Sequence, residues 1–249
     1  MYQDLEAELH DHFWHAEQEH ADELPLLSHF LHHHPGRALE VGCGSGRLLL
    51  PLLKQGFDID GIDTSEEMLA LLKKQSNTSN YYLGDATHFN FPHCYAAITI
   101  PAFTLQLLSR QDAHALLINL KQHAKPGAAL YLTTFIPWAE ITDELECDTW
   151  NLDKQSPYKN SSLALCHTRH SINRVEQSLH REHHYSIQDA RGATTAEYKT
   201  EQSLQWYLLP ELRSLLNLAG WSLESWHADF QLNLQDSDAA VLTLFATAT

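Results

Sequence analysis

A short apolar segment, Ala38-Leu39-Glu40-Val41, runs directly into the glycine-rich turn Gly42-Cys43-Gly44-Ser45-Gly46. Glycines let a backbone approach a ligand closely, and the start of a following helix presents free N–H groups. A dinucleotide-binding turn would place its third glycine where Arg47 stands, and a phosphate-binding loop would end in Gly-Lys-Ser/Thr, which is absent here. The spacing therefore predicts a ligand-binding edge of a different kind, with an acid, Glu40, two residues before the first glycine.

The elements that must position this turn alternate along the chain. Apolar runs predict strands at 38–41, 57–62, 81–83, 95–100 and 128–135, and capped or amphipathic segments predict helices at 47–55, 64–74 and 111–123. This alternation is typical of a parallel sheet with right-handed crossovers. Asp63 and Asp85 follow the second and third strands, so we expect both at the edge where the strands have their carboxyl ends.

The pattern changes after Pro137. Residues 138–160 are predicted as loop and irregular helix, and 161–170, 177–188 and 193–206 as an antiparallel meander of two to four strands. A helix at 211–218 and a hairpin at 221–229 and 239–247 close the chain. The predicted fold class is α/β: a Rossmann-like seven-stranded mostly parallel sheet with a C-terminal antiparallel hairpin, helices on both faces, and an inserted antiparallel β lid.

We interpret 1–249 as a single domain with three parts. Residues 1–34 form a helical N-terminal lid, because Leu5, Leu9, Phe13 and Ala16 recur at helical spacing and a second helix is predicted at 22–31. Residues 37–137 and 207–249 form the core, and 138–206 form the inserted substrate lid. An open sheet edge alone does not exclude water from a ligand, so we expect both lids to close over it, with Trp14 or a neighbour in contact.

Five segments, in order, resemble class I S-adenosylmethionine-dependent methyltransferases. They are the glycine turn with Glu40, Gly61-Ile62-Asp63-Thr64-Ser65, Gly84-Asp85-Ala86, the helix end and turn at 120–127, and the helix at 210–221 before the last hairpin. The resemblance covers 37–135 and 203–249. It implies an enzyme that transfers a methyl group from S-adenosylmethionine to oxygen or nitrogen of a small-molecule acceptor, releasing S-adenosylhomocysteine.

The resemblance also implies roles for individual residues. Glu40 would orient the turn and the methionine ammonium group, Asp63 would accept hydrogen bonds from both ribose hydroxyls, and Met68 would pack on adenine. Asp85 would accept the adenine amino hydrogen. The full implied cofactor-binding set is Glu40, Gly42, Cys43, Gly44, Gly46, Asp63, Thr64, Met68, Asp85, Ala86 and Ile100.

The reaction itself needs mainly alignment, so no catalytic residue is assigned. Candidate bases on the predicted lids are His12, His170 and His184. Candidates for lining an acceptor pocket are the aromatic residues Trp14, Phe103, Trp138, Tyr185 and Trp206. The run Ile100-Pro101-Ala102-Phe103 departs from the Asn/Asp-Pro-Pro-aromatic motif of the amino-DNA methyltransferases.

Composition restricts the partners. The chain has 32 acidic and 16 basic side chains, a formal net charge of −16. That charge disfavours nucleic acids and anionic membranes, and the apolar stretches are too short to span a bilayer. Four widely spaced cysteines without a CxxC pair favour a reducing, cytoplasmic setting. The histidine-rich segments carry no metal-binding motif, so no metal site is predicted.

Two other functional classes compete with this hypothesis. One is a non-catalytic S-adenosylmethionine-binding or regulatory module, which would keep the cofactor edge but lack an open acceptor pocket. The other is a nicotinamide-dependent oxidoreductase, which the glycine spacing disfavours. Binding of S-adenosylhomocysteine against NAD separates the oxidoreductase from the other two.

Overall fold

The computed structural model describes residues 8, 9, 12, 13, 23–76 and 81–249. These residues fall into two compact units. The first consists of described residues within 21–136 and 206–249, and the second of described residues within 2–20 and 137–205.

The first unit is built on a seven-stranded sheet. Its strands are β1 (Ala38–Val41), β2 (Ile59–Asp63), β3 (Tyr81–Leu83), β4 (Tyr95–Ile100), β5 (Ala124–Phe135), β10 (Trp221–Ala228) and β11 (Val241–Ala248). They lie in the order β10-β11-β5-β4-β1-β2-β3. Neighbouring strands from β3 to β5 are parallel, whereas β11 runs antiparallel to both β5 and β10. This confirms the predicted Rossmann-like sheet with its C-terminal hairpin.

The strand order reverses between β1 and β4. Strands β2 and β3 lie on one side of β1, and β5, β11 and β10 lie on the other side of β4. In open α/β sheets, the carboxyl ends of the strands at such a reversal form a crevice where ligands bind. The turn at 42–46 and the loop at 101–104 follow these two strands directly. These two segments are therefore where the fold predicts that a ligand binds.

The helices of this unit are α1 (Leu24–His33), α2 (Leu49–Lys54), α3 (Glu66–Gln75), α4 (Arg110–Gln122) and α6 (Leu209–Leu218). Local sequence fixes where α3 begins: the Ser65 hydroxyl accepts a hydrogen bond from the Met68 N–H, and Glu66 and Glu67 lie in the positive first turn. This start places Met68 one turn beyond Asp63, the last residue of β2.

Two groups of contacts hold the sheet. Apolar side chains of α1 and α2, including Phe30 and Leu52, are buried with Ile59 and Tyr131 in one core cluster. Near the amino ends of the strands, Arg37 makes a bidentate ion pair with the fully buried Asp60, with both N···O distances 2.9 Å. This arrangement leaves the opposite, carboxyl edge of the sheet for other polar groups.

The second unit contains a four-stranded antiparallel sheet in the order β6-β7-β8-β9. Its elements are the short helix α5 (Trp138–Ile141) and the strands β6 (Asn151–Pro157), β7 (Leu163–Asn173), β8 (Ser178–Gln188) and β9 (Thr194–Gln205). Leu9 and Phe13 are buried with Ala164, Cys166 and Tyr185. The amphipathic spacing of the first residues thus serves this sheet's core.

Several boundaries differ from the predicted ones. The strand predicted at 57–62 is Ile59–Asp63, and the strand predicted at 128–135 begins at Ala124. The loop and irregular helix predicted at 138–160 include the short helix Trp138–Ile141, but the prediction was wrong at Asn151–Pro157, which forms the strand β6. This segment is mostly exposed and pairs with β7, so it carries no apolar alternation that would have indicated a strand.

Trp14 and most of the predicted N-terminal helix lie outside the described residues, and the closing of the lids over a ligand stays a prediction. Among the described helices, none is long and apolar enough to cross a membrane.

Candidate active site

The glycine turn after β1 is held tightly on two sides. Gly42 and Gly44 have φ values of +76° and +52°, which glycine adopts without strain. A Cβ on Gly42 would lie 2.6 Å from the Thr104 side chain, and one on Gly44 would lie 3.3 Å from Met68 Cε. Gly42 therefore requires glycine for space as well as for conformation, and Gly44 requires it for conformation.

Asp63, at the end of β2, meets this turn. Its Oδ2 accepts a hydrogen bond from the Gly44 N–H at 2.8 Å, and its Oδ1 accepts one from the Ser65 N–H at 2.8 Å. Burial raises the pKa of Asp63, and these backbone N–H groups oppose the rise. The structure thus brings together three of the predicted residues, Gly44, Asp63 and Met68.

Glu40, in the middle of β1, is only 1% exposed. Its Oε2 has no hydrogen-bond partner among the described residues. Burial raises its pKa to about 8; Arg47 opposes the rise, and the neighbouring acids Glu23 and Asp63 add to it. A buried carboxylate with an unpaired oxygen favours a ligand that brings a positive charge or a donor.

Glu23, just before α1, is a second buried acid at this edge and is 2% exposed. Its Oε2 accepts a hydrogen bond from the Ala102 N–H at 3.0 Å, and the Thr133 and Tyr131 hydroxyls also interact with its carboxylate. Burial raises the pKa of Glu23, with Arg47 opposing the rise. Two carboxylates therefore act electrostatically on each other and on the same arginine.

The loop that Glu23 holds follows β4 and has an unusual backbone. Ala102 and Phe103 both have positive φ, +53° and +62°, a conformation that is uncommon for residues with a side chain. The Phe103 N–H points at the Thr133 hydroxyl at 3.4 Å. Strained backbone of this kind persists where the surrounding structure enforces it, and such residues cluster at functional sites.

The other predicted residues lie in different surroundings. The Cys43 side chain is buried in the core, where its Sγ would clash with any Cβ on Gly61, so only its backbone faces the turn. Ile100 is fully buried, and Thr64 is exposed. Gly46 closes the turn with φ of +90°.

Asp85 and Ala86 lie in the turn after β3. Burial alone would raise the pKa of Asp85, but hydrogen bonds from the Thr87 N–H and hydroxyl bring it below its ordinary value. The Ala86 carbonyl accepts a hydrogen bond from the Asn119 amide at 2.9 Å. A shared role of this turn and the glycine turn in binding adenine stays a prediction.

Sequence reasoning missed Glu23 and Thr104. Glu23 lies in a histidine-rich segment with no motif, and its role depends on a hydrogen bond to a residue 79 positions away. Thr104 follows Phe103 in a loop that resembled no family motif. A buried acid near a predicted ligand edge has no local signal, so only the fold could reveal it.

Comparisons with known proteins agree with this geometry. Residues 38–127 match the methyltransferase domain family. The chain is 28% identical over 186 residues to the cypemycin N-terminal methyltransferase of a Streptomyces species, covering 73% of this chain and 71% of that protein.

Two solved structures share the fold. One is CalS10 with S-adenosylmethionine bound, an amino pentose methyltransferase from Micromonospora echinaspora, with a TM-score of 0.70, 19% identity, and coverage of 92% of this chain and 91% of that one. The other is the sugar N-methyltransferase KedS8 from Streptoalloteichus, with a TM-score of 0.71, 16% identity, and coverage of 94% and 91%.

Residues 38–127 thus form a methyltransferase domain, and the sheet around them has the fold of the S-adenosylmethionine-dependent methyltransferases named above. S-adenosylmethionine is accordingly its methyl donor.

Proposed function

We propose that this protein methylates a nitrogen atom of a small-molecule amine. The observation that carries the proposal is the pair of buried acids, Glu23 and Glu40, which lie close enough to interact electrostatically. Such a pair of acids favours cationic groups and disfavours anionic ones. The relatives named above as N-terminal, amino pentose and sugar N-methyltransferases support nitrogen over oxygen.

The residues present fit the methyl donor. Its methionine end carries an ammonium group that the free Oε2 of Glu40 would accept, and its ribose diol would add hydrogen bonds to the Asp63 carboxylate. Met68, whose Cε lies beside Gly44, would pack on the adenine ring. Asp85, Ala86 and Ile100 would complete the adenine end. The donor supplies a methyl group on a sulfonium, which the acceptor nitrogen displaces in line.

The role of the chain in this reaction is to align and to desolvate. Glu23 fixes the 101–104 loop through the Ala102 N–H, and this loop follows β4 at the same edge of the sheet as the glycine turn. A rigid loop here would hold the acceptor nitrogen at attack distance, which is the main requirement of an in-line displacement. The acceptor reacts as the free amine, the carbon–sulfur bond breaks as the carbon–nitrogen bond forms, and the positive charge passes from sulfur to the methylated nitrogen, where the buried acids would stabilise it.

The remaining features of the proposal concern partners and location. The net charge of −16 supports a small-molecule acceptor over a nucleic acid. The cysteines Cys43, Cys94, Cys147 and Cys166 are all free thiols, which supports a cytoplasmic location.

A paired acceptor panel tests the proposal. The wild-type protein is incubated with S-adenosylmethionine and matched amines and alcohols, such as amino sugars and the corresponding hydroxyl sugars, and formation of S-adenosylhomocysteine is measured. We expect product with amines, with the added methyl on nitrogen by mass spectrometry and NMR. Turnover confined to alcohols would overturn the choice of nitrogen. Asp63→Ala is the control that should lose turnover with every acceptor.

A further inference from the structure

A cluster of metal-ligand side chains lies in the second unit, far along the chain from the glycine turn. Asp153 on β6, Cys166 on β7 and His183 on β8 present one carboxylate oxygen, one sulfur and one ring nitrogen, all within 4.8 Å of one another. Residues of three different strands converge here, which explains why no short sequence motif indicated the cluster.

The strand pairing explains how these side chains reach one face. Cys166 and Thr168 are two residues apart on β7, and Thr168 is paired with His183 on β8, so the three share a face of the sheet. Asp153 lies at an irregularity in the pairing of β6, between Leu152 and Lys154. Such a bulge redirects one side chain, and here it brings the carboxylate to the same face.

The distances suit a tetrahedral metal centre. Cys166 Sγ lies 4.0 Å from His183 Nδ1. Zinc bonds of about 2.3 Å to sulfur and about 2.0–2.1 Å to nitrogen put those two ligand atoms about 3.6 Å apart. The Thr168 hydroxyl lies 3.0 Å from both the Asp153 carboxylate and His183 Nδ1, and 3.9 Å from Cys166 Sγ. The three ligand atoms thus lie around the Thr168 hydroxyl.

The surroundings combine a buried thiol with an accessible side. Cys166 is 1% exposed, whereas Asp153 is exposed to solvent. Zinc is a borderline-soft ion that binds thiolate, imidazole and carboxylate ligands in the same site. Magnesium and calcium prefer oxygen ligands alone.

We infer that Asp153, Cys166 and His183 form a zinc site in the four-stranded sheet. The metal displaces the Thr168 bridge between Asp153 and His183 and links the edge strand β6 to β7 and β8. This inference does not rest on the proposed function.

Cobalt(II) spectroscopy of the full-length protein tests the inference. Metal is first removed with a chelator, the chelator is removed, and Co²⁺ is added. We expect the visible bands of a tetrahedral site and a near-ultraviolet thiolate-to-cobalt charge-transfer band at one equivalent, both abolished by Zn²⁺. Cys166→Ser should lose the charge-transfer band, and Cys94→Ser, which changes an exposed cysteine of the first unit, should keep it.

A second variant guards against misfolding of the buried position. Asp153→Asn changes an exposed residue, so we expect an unchanged melting temperature without metal and at least a tenfold weaker affinity for zinc. The inference is overturned by an absent thiolate band in the wild type, by a band that survives in Cys166→Ser, or by zinc affinity that Asp153→Asn leaves unchanged. Any of these results would leave the cluster as a hydrogen-bonded relay through Thr168.

Discussion

Replacing Glu40 by glutamine should stabilise the ligand-free protein at alkaline pH while it weakens cofactor binding. The pKa of Glu40 rises from 4.5 to about 8 because the carboxyl group is buried. A carboxyl whose pKa is raised in the folded state contributes stability below pH 4.5 that is lost as the pH rises to 8. Wild-type stability should therefore fall over this range, and that of Glu40→Gln should fall less.

The magnitude follows from the same pKa. The difference of about 3.5 pH units, at about 1.4 kcal/mol per unit, gives an upper limit of about 5 kcal/mol for this group between pH 4.5 and a pH well above 8. Relaxation around a buried acid reduces this figure, so we expect about 1–3 kcal/mol in favour of Glu40→Gln at pH 9.

The binding effect has the opposite sign. Loss of one charge-assisted hydrogen bond costs about 1.5–3 kcal/mol, or roughly 10- to 150-fold in affinity for S-adenosylhomocysteine. Thermal melts at pH 5 and pH 9 and titration calorimetry measure the two effects, with the exposed Glu224→Gln as control. Equal pH slopes in the two proteins, or an unchanged affinity in a folded Glu40→Gln protein, would refute the reasoning.

Four further outcomes are expected. Asp63→Ala should weaken S-adenosylhomocysteine binding roughly 10- to 150-fold by calorimetry, and an unchanged dissociation constant would contradict its ribose role. Gly42→Ala should destabilise the protein by about 1–3 kcal/mol in denaturant unfolding, because φ is +76° and the new Cβ would lie 2.6 Å from Thr104; wild-type stability would show that the turn can shift. Gel shifts near neutral pH should show no DNA or RNA binding, and micromolar binding that weakens steeply with salt would argue against a small-molecule acceptor. Trp14→Ala should reduce retention of the cofactor, and full retention would count against the lid hypothesis.

Much of the fold could be predicted from local patterns. The strands β1, β3 and β4 are short runs that are followed directly by a glycine or a proline, and Ser65 followed by Glu66 and Glu67 marks a helix start without tertiary information. β6 could not be predicted, because an exposed edge strand has no buried face to impose alternation on its sequence.

Some residues of the candidate site could also be predicted from local sequence, and others could not. Gly42, Gly44 and Asp63 follow predicted strands, so their meeting at one edge followed from the sheet alone. Glu23 and the Asp153 cluster depend on contacts between distant segments, and neither residue type nor spacing carries that information. Glu23 accepts a hydrogen bond from the N–H of Ala102, whose positive φ could not be predicted from residue conformational propensities.

The central claim is that the carboxyl edge of β1 and β2 binds the methyl donor by both its ribose and its amino-acid end. Calorimetry of the wild-type protein with S-adenosylhomocysteine, with 5′-methylthioadenosine, which lacks the amino-acid end, and with NAD tests it most directly. We predict that S-adenosylhomocysteine binds at least tenfold more tightly than 5′-methylthioadenosine, and that NAD does not bind. Equal affinity for the first two would contradict the role of the buried acids, and binding of NAD in place of S-adenosylhomocysteine would contradict the account as a whole.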